Sequence, residues 1–156
     1  MSRASSAMAQ PQPPPNTCHA RMSGDFTLPD HRCTPGAISP AVRQTNISAT
    51  ICRSGYTEGV RPSESITERE KQASLAAYGS PGALHDYEYD HLVPLELGGA
   101  PNDPRNLWPE PGGVPNPKDE LENRLREMVC AGQLRLAAAQ RGIAANWVAL
   151  YHRLVG

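Results

Sequence analysis

The spacing of apolar positions changes along the chain, and the changes mark the elements. Tyr89, Leu92, Val93, Leu95 and Leu97 suit a pleated surface and predict a strand over 89–97, which Pro94 restricts to an edge or a bulge. Gly98-Gly99 turns it. Residues 100–105 are rich in turn formers, and Asn106-Leu107-Trp108-Pro109 predicts a very short returning strand. Pro117-Lys118-Asp119-Glu120 then opens a helix, with proline in its first turn and acids at its positive end. Leu121, Leu125, Met128 and Val129 give that helix a core-facing stripe to about 130, and Gly132 ends it. Upstream, Val42, Ile47 and Ile51 predict a short helix over 41–51, residues 55–62 read as extended, and Ser63 or Ser65 caps a helix over about 66–78. Downstream, a helix over 136–142 is followed by another over about 147–154, capped by Asn146 and turning Trp147, Leu150 and Leu154 inward. Residues 18–40 read as loop, and the proline-rich residues 1–17 read as disordered.

The chain has 156 residues and 38% apolar content, enough for a single domain over 18–156. The fold class expected is α+β, mainly helical and loop-rich, since there are 16 prolines and one phenylalanine. Small loop-rich domains need staples. Four cysteines, Cys18, Cys33, Cys52 and Cys130, contain no C-x-x-C pair, which favours disulfides over zinc. Of the three pairings, Cys18 with Cys33 and Cys52 with Cys130 is favoured; the second would tie the N-terminal segment to the end of the helix that closes near 130. Disulfides imply an oxidising compartment, so a secreted or periplasmic protein is expected.

Ala7-Met8-Ala9 before Gln10 fits the A-x-A form of a signal-peptidase site, yet no apolar stretch of the usual length stands before it in this chain. The leader is read as trimmed or absent. No run approaches the roughly 20 apolar residues of a membrane span, so a soluble monomer with no membrane partner is expected. Asn46-Ile47-Ser48 matches a glycosylation acceptor, a pattern short enough to arise by chance. Net charge is −1, which argues against a tight or processive nucleic-acid binder but allows a local basic cluster drawn from Arg53, Arg61, Arg105, Lys118, Arg124 and Arg126.

The candidate chemistry lies in the stretch 87–123. Asp90-His91 puts a carboxylate beside an imidazole whose ordinary pKa suits it to accept a proton from water at neutral pH. In a regular strand the two side chains would point to opposite faces, so a bulge is expected to bring them together. A second such pair, His85-Asp86, lies in a turn-prone loop and reads as a surface histidine. The bland reading of Asp90-His91 is an ion pair at a strand end.

The order Asp90-His91, Gly98-Gly99, Asn106-Leu107 and a polar helix start over 118–123 resembles the HNH endonucleases, the His-Me finger or ββα-metal group. The wider pattern, from a Cys-Thr-Pro-Gly-Ala segment through Asn-Leu-Trp-Pro-Glu-Pro to Lys-Asp-x-x-Glu-Asn before Val-Cys, is similar to small exported bacterial proteins of this group. The resemblance implies a finger over about 87–130 and a metal-dependent nuclease acting on DNA or RNA with low sequence specificity. It further implies His91 as general base, Asp90 as ligand to Mg²⁺ or Mn²⁺, and Asn106 as the residue that ties the loop and orients His91. The helix residue usual in the group, a His or Asn, is not evident here, so the second ligand stays open among Glu122, Asn123 and Asp119. Arg105 and Lys118 are candidates for nucleic-acid contact. The competing reading is a non-catalytic, disulfide-stapled binding module that keeps the finger as scaffold.

Overall fold

The computed structural model describes residues 8–112 and 116–156. The architecture is α+β, with helices packed around two separate two-stranded antiparallel sheets. A hairpin of β1 (Arg21–Ser23) and β2 (Phe26–Leu28) comes first, then a 3₁₀ segment (Gln44–Ala49), α1 (Tyr56–Val60) and α2 (Glu64–Ala77). β3 (Tyr87–His91) and β4 (Leu107–Pro111) form the second sheet, and α3 (Pro117–Cys130) and α4 (Leu136–Leu154) complete the chain. The core is a continuous cluster that includes Leu92, Val93, Leu97, Trp108, Leu121, Leu125, Ile143 and Trp147.

The predicted helices over about 66–78 and 117–130 lie at Glu64–Ala77 and Pro117–Cys130. In α2 the buried residues Glu70, Ser74 and Ala77 follow helical spacing. The last two predicted helices form one element, α4, interrupted at Asn146 (φ −163°, ψ 88°), whose Oδ1 accepts from the Ala149 N–H as a cap does.

Several expectations are corrected. The strand expected over 89–97 ends at His91, and the chain then turns through a short 3₁₀ segment, Leu95–Leu97, that buries Leu95 and Leu97. Pro94, lacking an N–H, suits this turn better than a ladder. The Gly-Gly pair has two separate causes: Gly98 sits at φ +80°, and a Cβ on Gly99 would collide with the Val93 carbonyl oxygen. Residues 18–40 contain the β1–β2 hairpin, and residues 55–62 contain α1. Phe26 of that hairpin packs against Trp147 with ring centroids 5.6 Å apart and ring planes tilted, and the Trp147 indole N–H donates to the Thr27 carbonyl.

Residues 8–17, expected to be disordered, run beside α2, where Asn16 N–H donates to the Ala76 carbonyl and Cys18 N–H to that of Ala77. Proline suits such an extended strap, and backbone hydrogen bonds to the end of α2 hold it. The rest of the predicted disordered segment, residues 1–7, and part of the loop before α3, residues 113–115, lie outside the described residues.

Cys18 pairs with Cys33 and Cys52 with Cys130. The second bridge closes a loop of 78 residues and fastens the end of α3 to the segment after the 3₁₀ turn. Beside it the Arg126 guanidinium donates to the Ile51 carbonyl at 2.9 Å. The two disulfides are compatible with an extracellular protein, and among the described residues no helix is long and apolar enough to cross a membrane. Replacing Cys52 and Cys130 together by Ala should lower unfolding stability by about 4 kcal/mol in the chain-entropy model, measured by denaturant unfolding against the intact protein.

Candidate functional site

Among the described residues β3 pairs only with β4, and a cavity of about 490 Å³ opens beside this ribbon. Glu88, Asp90 and His91 of β3, Glu96 of the following turn, Arg61 and Glu64 near the α1–α2 junction, and Asp119, Glu122 and Asn123 of α3 line it. The ladder runs without a bulge, from Tyr87 opposite Pro111 to His91 opposite Leu107. The expected bulge is therefore absent. Asp90 and His91 are neighbours on a regular strand and leave opposite faces of the ribbon, yet both line the cavity.

On the Asp90 face, period-two alternation places Glu88, Asp90, Trp108 and Glu110 together, Glu88 directly opposite Glu110 and Asp90 opposite Trp108. The Trp108 indole N–H donates to Asp90 Oδ2 at 2.9 Å. Lys118, fully buried in the first turn of α3, places its ammonium on the same oxygen at 2.9 Å, on Glu122 Oε2 at 2.7 Å and on the His91 carbonyl at 2.9 Å. All three of its protons are thereby used. Burial works against the charge on Lys118, but Asp90, Glu122 and Glu110 outweigh it and hold its pKa above the ordinary lysine value.

One ammonium does not neutralise this cluster. Burial first, then the charge of Asp90, pushes Glu110 up to about 9. Burial likewise raises Glu122 to about 8, with Lys118 opposing and Asp90 adding to the rise. Glu88 rises to about 7, through burial and then the charges of Asp90 and Asp119. Oxygens of Glu88, Asp90 and Glu110 lie within 4.8 Å of one another. A hard divalent cation is one complement for such a set and protons are the other. Asp90 Oδ1 and Glu122 Oε1 take no hydrogen bond among the described residues, both side chains line the cavity, and neither oxygen is a sealed, unsatisfied atom. The donors fit Mg²⁺ or Mn²⁺.

On the other face, the His91 ring nitrogen Nε2 lies 2.9 Å from the Pro101 carbonyl. A carbonyl only accepts, so Nε2 carries the proton and the neutral ring keeps a lone pair on Nδ1. Burial lowers the His91 pKa below its ordinary value; the Pro101 carbonyl and Asp90 oppose this, and Arg61 and Lys118 reinforce it. The ring is therefore neutral at pH 7 and able to accept a proton.

The remaining candidates are dispersed. Asn106 is fully buried; its Oδ1 accepts from Val93 N–H and its Nδ2 donates to the Val93 and Ala100 carbonyls. It ties the 93–100 loop as expected, whereas the hydrogen bond that orients His91 comes from Pro101. Among the three candidate second ligands, Glu122 is joined to Asp90 through Lys118, Asp119 caps the helix by accepting from Asn116 N–H, and Asn123 turns its amide to Glu96. The expectation that Lys118 contacts nucleic acid is overturned, because its ammonium is sealed inside and fully paired. Arg105 does not line the cavity, and its guanidinium makes two hydrogen bonds to Asp103. Arg61, only one among several scattered arginines in the sequence, is the lysine or arginine that does line it. Glu88 and Glu110 were missed as site residues; the signal was the alternation Glu88-x-Asp90 with an acid in the returning strand. His85 is exposed beside Asp86, as read from the sequence.

The raised carboxylates set a pH dependence. Glu110 titrates near its ordinary 4.5 when unfolded and about 9 when folded, so between these values the folded state binds more protons and stability falls as pH rises. In metal-free buffer, thermal unfolding should show a higher midpoint at pH 5 than at pH 9, and Glu110→Gln should reduce that difference. Lys118→Met should cost about 3–5 kcal/mol at pH 8 in denaturant unfolding, because it strands Asp90 and Glu122 without a counter-ion. A variant as stable as the parent would show that the ammonium does not hold this cluster together.

Compared with protein-family models, curated proteins and solved structures, this chain gives no significant match to any.

Proposed function

We propose that this chain is an exported, divalent-metal-dependent endonuclease of the HNH type, hydrolysing phosphodiester bonds of DNA or RNA with little sequence preference. The observation that carries the reading is His91, a neutral imidazole whose Nε2 is committed to the Pro101 carbonyl, standing beside Asp90 on a cavity lined with carboxylates. The order strand, turn, strand, helix supports it, since β3 supplies Asp90 and His91, β4 follows Asn106, and α3 supplies Glu122.

In this reading His91 Nδ1 accepts the proton of the attacking water. The negative charge of Asp90 favours the imidazolium that results, and Pro101 holds the ring in one tautomer throughout. Arg61, exposed at the cavity wall, offers its guanidinium to a non-bridging phosphate oxygen. Asp90 and Glu122 would hold the metal, with Glu88 and Glu110 behind Asp90. When bound, the ion supplies positive charge for the phosphate and leaving oxygens. The carboxylates between Arg61 and Lys118 disfavour a long polyanion without a cation to screen them, in keeping with the net charge of −1.

One observation favours the second reading, a non-catalytic exported module. The Lys118 ammonium already bridges Asp90 and Glu122, so the scaffold has a built-in cation there. Mn²⁺ titration followed by electron paramagnetic resonance separates the two: a nuclease binds the ion and loses it in Asp90→Asn, whereas a scaffold binds none. With Mg²⁺ or Mn²⁺ the protein should nick supercoiled plasmid, and His91→Ala should slow nicking by about 10²-fold or more while circular dichroism stays unchanged. Absence of cleavage with every divalent ion tested would refute the nuclease.

A further inference from the structure

Glu70 of α2 is a buried carboxylate outside the site described above, only 2% exposed. Its Oε2 accepts from the backbone N–H of Gln10 at 2.8 Å, and its Oε1 accepts from the Tyr89 hydroxyl at 3.4 Å. Burial raises its pKa, and what opposes this is hydrogen bonding from Gln10, Tyr89 and Asn102, with no cation contributing. Asp90 and Glu122, by contrast, have Lys118. Asn102 also donates through Nδ2 to the Met8 carbonyl at 3.0 Å, while its Oδ1 is a buried acceptor with no donor among the described residues. Gln10 is the residue that follows Ala7-Met8-Ala9, of which Met8 and Ala9 are exposed and Ala7 lies outside the described residues.

We infer that the chain is cut between Ala9 and Gln10, by a peptidase that takes small side chains one and three positions before the cut, and that the α-ammonium released at Gln10 is the counter-ion of Glu70. The step is a hydrolysis: the hydroxyl of water goes to the Ala9 carbonyl carbon, the C–N bond breaks, and the amine takes up a proton. The nitrogen 2.8 Å from Glu70 thus passes from a neutral amide with one proton to a cation with three. One proton stays on Glu70 as a charge-assisted bond, and two more become available to acceptors around the terminus. Among the described residues, the titratable groups around this contact are Glu70 from α2 and Tyr89 from β3, with the neutral Asn102 side chain of the loop beside Glu70. Tyr89 precedes Asp90 and His91 in the chain, and Asn102 follows the Pro101 whose carbonyl holds the His91 ring. The new terminus therefore braces both segments that position His91. The inference stands whether or not the chain is a nuclease.

The test compares three proteins: the full chain, a chain beginning at Gln10 released from a fusion, and that shorter chain carrying Glu70→Gln. Residues 10–156 keep every described helix, strand and disulfide. The α-amine pKa is read from pH-dependent amine labelling, and stability from thermal unfolding at pH 6 to 10. Expected is an α-amine pKa raised about one unit or more above its ordinary value of about 8, and a higher midpoint than the full chain. That gain is present in full below about pH 8 and is lost as pH rises through the raised pKa. Glu70→Gln should remove both effects, and N-terminal sequencing of the protein from its natural producer should begin at Gln10. An α-amine titrating at its ordinary value, an unchanged midpoint, cyclisation of Gln10 with loss of ammonia, or a natural terminus elsewhere would each overturn the inference.

Discussion

A buried ammonium holds the two halves of the site together. Lys118 can stand in the interior only because each of its three protons meets an oxygen, two of them on carboxylates. Its anchor points are the end of β3, through Asp90 and the His91 carbonyl, and the second turn of α3, through Glu122. The helix must therefore begin where it does, and the Asn116–Asp119 capping box fixes that start. Trp108 completes the arrangement by closing the shared oxygen of Asp90 from the opposite strand.

The same interaction creates an imbalance that gives the site its chemical character. Lys118 compensates two carboxylates, but Glu88 and Glu110 stand behind Asp90 on the ribbon, and Asp119 and Glu96 border the cavity. Acids crowded into partial burial lower their energy by taking protons or by taking a cation. The raised values of Glu88, Glu110 and Glu122 express the first route, and the donor set suits the second. Catalytic and purely structural readings therefore differ over which route the protein follows at neutral pH.

His91 depends on a different set of constraints. Its ring is positioned by a backbone carbonyl, and that carbonyl lies in a loop that must return tightly from Val93 to Asn106. Asn106 substitutes for backbone partners at Val93 and Ala100, and Gly99 lets the chain pass against the Val93 carbonyl. Gln12 of the strap donates to the hydroxyl of Tyr89, two residues before His91 on β3. A histidine held only by its own strand would sample several rotamers; one held at Nε2 presents Nδ1 in one place.

Local signals carried much of this in the amino-acid order alone. Proline and acids at 117–120 and the leucine stripe after them located α3, Asn146 announced the break in α4, and the cysteine spacing agreed with the two bridges. Strands of three residues and a helix of five were illegible, since neither length shows a full period. Glu122 stands one helical turn from Lys118, so that pair could be read; the approach of Asp90 could not, because a lysine in a first turn reads as a solvated charge. Which candidates share a cavity, which nitrogen of His91 is free and which acids lack a counter-ion were decided by packing α3 and the strap against β3. Sequence spacing reports neighbours along the chain, while charge compensation in an interior depends on neighbours in space.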